Sequence, residues 1–107
     1  MRALLLVLAL CVAGTVQARG NATKGKEKAA QVCVACHGAD GNKTSAPDQP
    51  ILAGQYADYL ERALLDYKTG RRSNPIMKGF ASTLSRQDIE DLAAWFASQS
   101  SPLHDQR

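Results

Sequence analysis

Two thiols and an imidazole fall within one pentapeptide, Cys33-Val34-Ala35-Cys36-His37. Cysteines three positions apart, followed at once by histidine, form the spacing at which c-type haem is attached. Each sulfur adds across one porphyrin vinyl group, and only a tight turn brings both sulfurs to the same ring edge. The adjacent imidazole is then placed against the iron. The pattern predicts one haem c, covalently bound through Cys33 and Cys36, with His37 as an axial ligand.

Other uses of the same residues fit less well. A thiol–disulfide oxidoreductase shares the Cys-x-x-Cys spacing but sets it between a strand and a helix, and this chain shows no convincing strand pattern. A zinc site needs four ligands, and beyond Cys33, Cys36 and His37 the processed chain offers only His104 in the usual Cys/His classes. His37 is also adjacent to Cys36, which makes a shared tetrahedral site awkward.

The second axial ligand decides what an attached haem does. Met77 is the only methionine beyond the N-terminal segment, and it lies between Pro75 and Gly79 in a stretch read as loop, Arg71 to Phe80, where it is free to reach a metal. A His37/Met77 pair leaves no open iron position, favours the ferrous state and raises the reduction potential. That is the chemistry of an electron carrier. His104, the competing ligand, falls in a polar tail beyond Pro102 and reads as solvated. An axial histidine usually donates its second ring nitrogen to an acceptor, for which the backbone carbonyl of Pro50 is the first candidate and that of Pro47 the second.

The elements that must position these groups read as all-α, with three main helices. Asn21 or Thr23 caps a first helix from about Lys24 to Cys33, in which Gly25 either frays the first turn or admits another helix at close range. Tyr56, Tyr59, Leu60, Ala63, Leu64 and Tyr67 form one stripe of a second helix, Gln55 to Thr69, closed by Gly70. The default reading of that stripe, its three tyrosines included, is core. Ser85 and Asp88 resemble a capping box before a third helix, Arg86 to Gln99, whose apolar face is Ile89, Leu92, Ala93, Trp95 and Phe96. Between Gly38 and Pro50 the turn formers predict a loop along one edge of the ring, with Pro50-Ile51-Leu52 returning to the His37 side.

The N-terminus carries a cleavable leader pattern: Arg2, an apolar run from Ala3 to Ala13, and small residues at Val16 and Ala18. The run is shorter than the about 20 residues that span a bilayer. Cleavage after Ala18 leaves residues 19–107 as a single monohaem domain in the periplasm. Leu8-Ala9-Leu10-Cys11 loosely resembles a lipoprotein cleavage site, but Leu10 stands where a small residue is expected, so Cys11 reads as part of the leader. Of 13 basic residues only Arg2 leaves with the leader, so the remaining charge is close to balanced against 10 acidic residues and points to no nucleic-acid partner.

With these residues in view, the chain resembles class I cytochromes c, and within them a single domain of the bacterial cytochrome c4 and small cytochrome c553 group. The resemblance runs through Cys33 to Asn42, Pro50 to Gln55, Met77, Leu84-Ser85 and Leu92 to Ala97. It implies thioethers at Cys33 and Cys36, axial ligation by His37 and Met77, and support of His37 by the Pro50 carbonyl. It also implies a crossing of the first and last helices in which Gly25 meets Trp95, where a tyrosine is often found. Cytochrome c4 has two such domains, this chain one, so a monomer or weak dimer is expected.

The function implied is single-electron transfer between redox proteins, from a membrane cytochrome complex to a terminal oxidase or reductase. Lys43, Lys78, Arg71 and Arg72 stand either as docking charges or as ordinary surface and propionate partners. A peroxidatic or ligand-binding haem protein, with Met77 detaching, is the alternative from another class; a fixed subunit of an oxidoreductase complex is a third.

Overall fold

Capping residues set most of the helix boundaries. The computed structural model describes residues 20–46 and 49–101; the leader with Cys11, Pro47, and the tail with His104 lie outside them. Five helices follow in order: α1 (Ala22–Val32), α2 (Val34–His37), α3 (Ala57–Thr69), α4 (Pro75–Ser82) and α5 (Arg86–Ala97), and no strand occurs among the described residues. The all-α class is as expected. The three main helices, α1, α3 and α5, are as expected too; α4 is the difference, a short helix within the stretch from Arg71 to Phe80 expected to be loop.

Asn21, not Thr23, caps α1: its side chain accepts from the Lys24 N–H at 3.0 Å, so the helix starts at Ala22. α3 begins two residues later than its stripe implied, after Tyr56 in extended conformation, and stops at Gly70, whose φ of 82° favours a residue without Cβ. α4 starts where Asn74 accepts from both the Ile76 and Met77 N–H groups at 3.1 Å and Pro75 occupies the first turn. Asn at the cap and Pro just inside form a helix start as readily as a break.

α1 packs across α5, and α3 packs against both α4 and α5. Their shared core holds Ala29, Leu60, Leu84, Ile89, Leu92 and Phe96, with Cys33, Leu52, Leu64 and Trp95 against it. The α1/α5 crossing settles the role of Gly25. A Cβ there would fall 1.9 Å from the Asp91 carbonyl oxygen and 2.8 Å from Trp95 Cβ. Close approach, not fraying, is the reason for this glycine. The buried Asp91 carboxylate tightens the crossing further, accepting from Asn21 N–H at 2.8 Å and Gln87 Nε2 at 2.9 Å.

At the head of α5 the capping box is complete: Asp88 N–H donates to Ser85 Oγ at 3.0 Å and Ser85 N–H to Asp88 Oδ2 at 2.9 Å. The Ser85 backbone bond holds the Asp88 carboxyl below the ordinary carboxylate value; burial opposes it, and the Ser85 hydroxyl and nearby Lys28 add smaller lowering effects. A carboxylate with a lowered folded pKa adds stability above its unfolded value, about 3.9, and that stability is lost as pH falls through the folded value. Ser85→Ala is expected to cost about 1 kcal/mol at neutral pH. The carboxylate's own bond, to the Ser85 backbone N–H, survives that change, so its part is read from Asp88→Asn: thermal melts of D88N and the parent from neutral pH down to about pH 3 should converge as Asp88 is protonated, and a constant difference across that range would refute the carboxylate's part in the cap.

Candidate functional site

The chemical residues gather where α1 gives way to α2. Cys33 closes α1, donating its N–H to Ala29 O at 2.9 Å, and its own carbonyl accepts the N–H of His37 at 3.0 Å. One short turn therefore carries Cys33, Cys36 and His37, and all three line a single cavity of about 460 Å³. No disulfide joins the two cysteines. Burial, with a smaller contribution from Cys36, pushes the Cys33 thiol up to about 11. An attacking thiol of a disulfide exchanger is shifted the other way, and the flanking elements here are helices. Among the described residues no group of three or more His, Cys, Asp or Glu side chains is arranged to hold a metal ion.

His37 is 5 % exposed, and its Nδ1 lies 2.9 Å from the carbonyl oxygen of Pro50. A carbonyl can only accept, so Nδ1 carries a proton and donates it, which leaves Nε2 as the nitrogen available to a ligand-binding role. Of the two proline candidates it is Pro50 that the described residues place beside His37; Pro47 lies outside them. The loop carrying Pro50 is tied down on both sides. Leu52 N–H donates to Gly41 O and Gly54 N–H to Phe96 O, each at 2.9 Å. Trp95 Nε1 donates to Ala39 O at 3.2 Å, linking α5 to the turn just after the pentapeptide.

Met77 lines the same cavity, half-buried, but from the first turn of α4 rather than from a loop. The difference has a physical cause: in sequence Pro75 and Gly79 read as breakers, whereas the Asn74 cap makes Pro75 the start of a helix. The helix fixes Met77 more firmly than a loop would. The tyrosines divide as well. Tyr67 is buried and lines the cavity, while Tyr59 lines it at 51 % exposure and Tyr56, at the head of α3, is 52 % exposed. Two of the three are therefore not core.

Apolar groups, Val32, Leu52, Leu60, Leu64, Leu92 and Phe96 among them, supply much of the remaining wall, and no Asp or Glu lines it. Sequence reasoning missed how one lining residue is held: Arg72, whose guanidinium lies 4.8 Å over the Tyr67 ring. Its only trace in sequence was a basic residue five positions beyond a tyrosine, across the Gly70 helix end.

Residues 22–100 match the sequence profile of the family described as Cytochrome c. The chain belongs to that family. It is 50 % identical over 94 residues to the cytochrome c4 of Pseudomonas aeruginosa, covering 88 % of this chain and 46 % of that protein. It is 43 % identical over 83 residues to cytochrome c-554(548) of Halomonas halodenitrificans, covering 75 % of this chain and 98 % of the relative. The crystal structure of reduced recombinant cytochrome c4 from Pseudomonas stutzeri superposes with a TM-score of 0.69 at 46 % identity, covering 76 % of this chain and 46 % of that one. The chain thus spans about half the length of the cytochrome c4 relatives it matches.

This cytochrome c carries one covalently bound haem c, and the site fits that group on its own terms. An apolar cavity of ligand-binding size presents two thiols on one turn, an imidazole oriented through its Nδ1 and a thioether from another helix.

Proposed function

We propose that this chain is an exported, periplasmic electron carrier in a respiratory or related redox chain, whose haem is held by thioethers to Cys33 and Cys36 and ligated axially by His37 and Met77. The haem iron supplies the one-electron couple. The protein's residues supply the rest. The Pro50 carbonyl orients the His37 ring through Nδ1–H and raises the basicity of its other nitrogen. Apolar side chains keep water from the iron, and the Asn74 cap holds Met77 at the head of α4. With both axial positions taken, oxidation and reduction change ligation little, and the chain passes single electrons between protein donors and acceptors. A membrane cytochrome complex and a terminal oxidase or reductase are the partner classes proposed, with the leader through Ala18 directing export and residues 19–107 forming the monohaem domain.

The observation that carries this reading is that one cavity collects Cys33, Cys36, His37 and Met77, with His37 already oriented by Pro50. The test is the visible spectrum of the haem-loaded protein together with carbon monoxide titration of its reduced form. A weak long-wavelength band, the mark of methionine on ferric iron, and slow or negligible carbon monoxide binding are expected. Rapid, complete binding would instead favour a ligand-binding or peroxidatic protein.

A further inference from the structure

We propose that Lys68 is a positioning residue for the iron: from the last turn of α3 it latches the helix that carries Met77, and the latch sets how readily that ligand leaves. The proposal rests on Met77 as an axial ligand and extends it to what holds the ligand in place. Of the α4 side chains only Ala81 is buried, Met77 is half-buried, and none belongs to the packed core. α4 packs mainly on α3. An element with so little buried surface of its own lies at the low-stability end of a domain and opens before the core does.

Both ends of α4 are fixed. At its head the Asn74 side chain accepts from the Ile76 and Met77 N–H groups. Its last turn is closed by Thr83 N–H to Phe80 O and Leu84 N–H to Ala81 O, each at 3.1 Å. Leu84 is buried in the core, and the Lys68 ammonium donates to its carbonyl oxygen, to which no backbone N–H among the described residues donates. Lys78 makes the return contact. From α4 it sets its ammonium 3.6 Å from where a Cβ on Gly70 would be, at the carbonyl end of α3. Each lysine thus reaches the C-terminal end of the other's helix, the end that carries partial negative charge.

The two contacts differ in weight. Lys78 is exposed, and water screens its charge. Lys68 is half-buried and serves the carbonyl of a core residue, so its removal leaves that acceptor short of a donor. Its bond also ties α3 to the joint between α4 and the Ser85 cap of α5. Ferric iron holds a soft thioether weakly, so in the oxidised protein the attachment of α4 decides whether the iron stays closed. Departure of Met77 carries α4 away from the iron and breaks the bond from Lys68 to Leu84 O. An external ligand then binds with its intrinsic affinity reduced by the fraction of open protein.

The experiment titrates haem-loaded ferric parent, K68M, K68R and G25A proteins with imidazole, which takes the iron only when Met77 has left, with the methionine band recorded before each addition. K68M keeps an apolar stem and removes the ammonium. It should retain the band and bind imidazole about ten- to a hundredfold more tightly, the worth of a hydrogen bond to a charged group. K68Q, uncharged and one atom shorter, should show a rise as well and carries the test if K68M does not fold. K68R, which keeps charge and donors, should stay close to the parent. G25A, which loosens the α1/α5 crossing away from α4, should lower Tm and leave the imidazole affinity unchanged. A parent-like affinity in the Lys68 variants that lose the charge, or an equal rise in G25A, would overturn the latch alone. Absence of the methionine band from the parent protein would sink the Met77 reading, and the latch with it.

Discussion

Met77→Ala should lower the reduction potential by a sizeable part of the about 0.8 V over which axial ligands set haem potentials. It should also abolish the methionine band and open the reduced iron to carbon monoxide. The direction follows from ligand softness. A thioether stabilises ferrous iron, and its replacement by water or hydroxide favours ferric iron. Folding should suffer less than function, because Met77 is half-buried and absent from the packed core, and the α4 cap is made to its backbone N–H rather than its side chain. Met77→His separates loss of the ligand from loss of its softness. It should keep the iron closed to carbon monoxide and still lower the potential, since imidazole is the harder donor. If M77A kept both the parent spectrum and the parent potential, Met77 would not be a ligand.

The residues whose chemistry depends on local spacing were the most legible in sequence. Cys33 to His37 carried the cofactor because a thioether pair tolerates little variation in spacing, and Ser85 with Asp88 carried the start of α5 because a capping box is wholly local. Gly25 was ambiguous: its two readings differ only in what lies across the helix, and the backbone of Asp91 supplies that answer. At Asn74-Pro75 the same residue types serve as breaker or as cap and first turn, and packing of α4 on α3 decides between them. The tyrosine stripe misled for another reason. Helical period shows which side chains share a face, whereas the face of α3 meets core at Leu60 and the cavity mouth at Tyr59. The Arg72–Tyr67 stack crosses a helix end, where no period connects the two residues.

Gly25→Ala should destabilise the haem-loaded protein by a net about 1–3 kcal/mol even though alanine is the better helix former by up to about 1 kcal/mol. The added methyl would sit 1.9 Å from Asp91 O and 2.8 Å from Trp95 Cβ, and the first of these is backbone, which cannot swing aside. α1 and α5 must then separate. Separation also stretches the bonds from Asn21 N–H to the buried Asp91 carboxylate and from Lys28 to Asp88, which span the same crossing. Gly79 on α4 is the matching control, because a Cβ there meets nothing within 4 Å. Gly79→Ala should stabilise by up to about 1 kcal/mol through helix propensity and unfolded-chain entropy. Each kcal/mol should move Tm by about 4–8 °C in a domain of this size, so thermal melts of the two variants should depart from the parent in opposite directions. Their spectra should match the parent, since neither glycine lines the cavity. If G25A melted with or above the parent, the helix crossing would have slack that the backbone of Asp91 does not show.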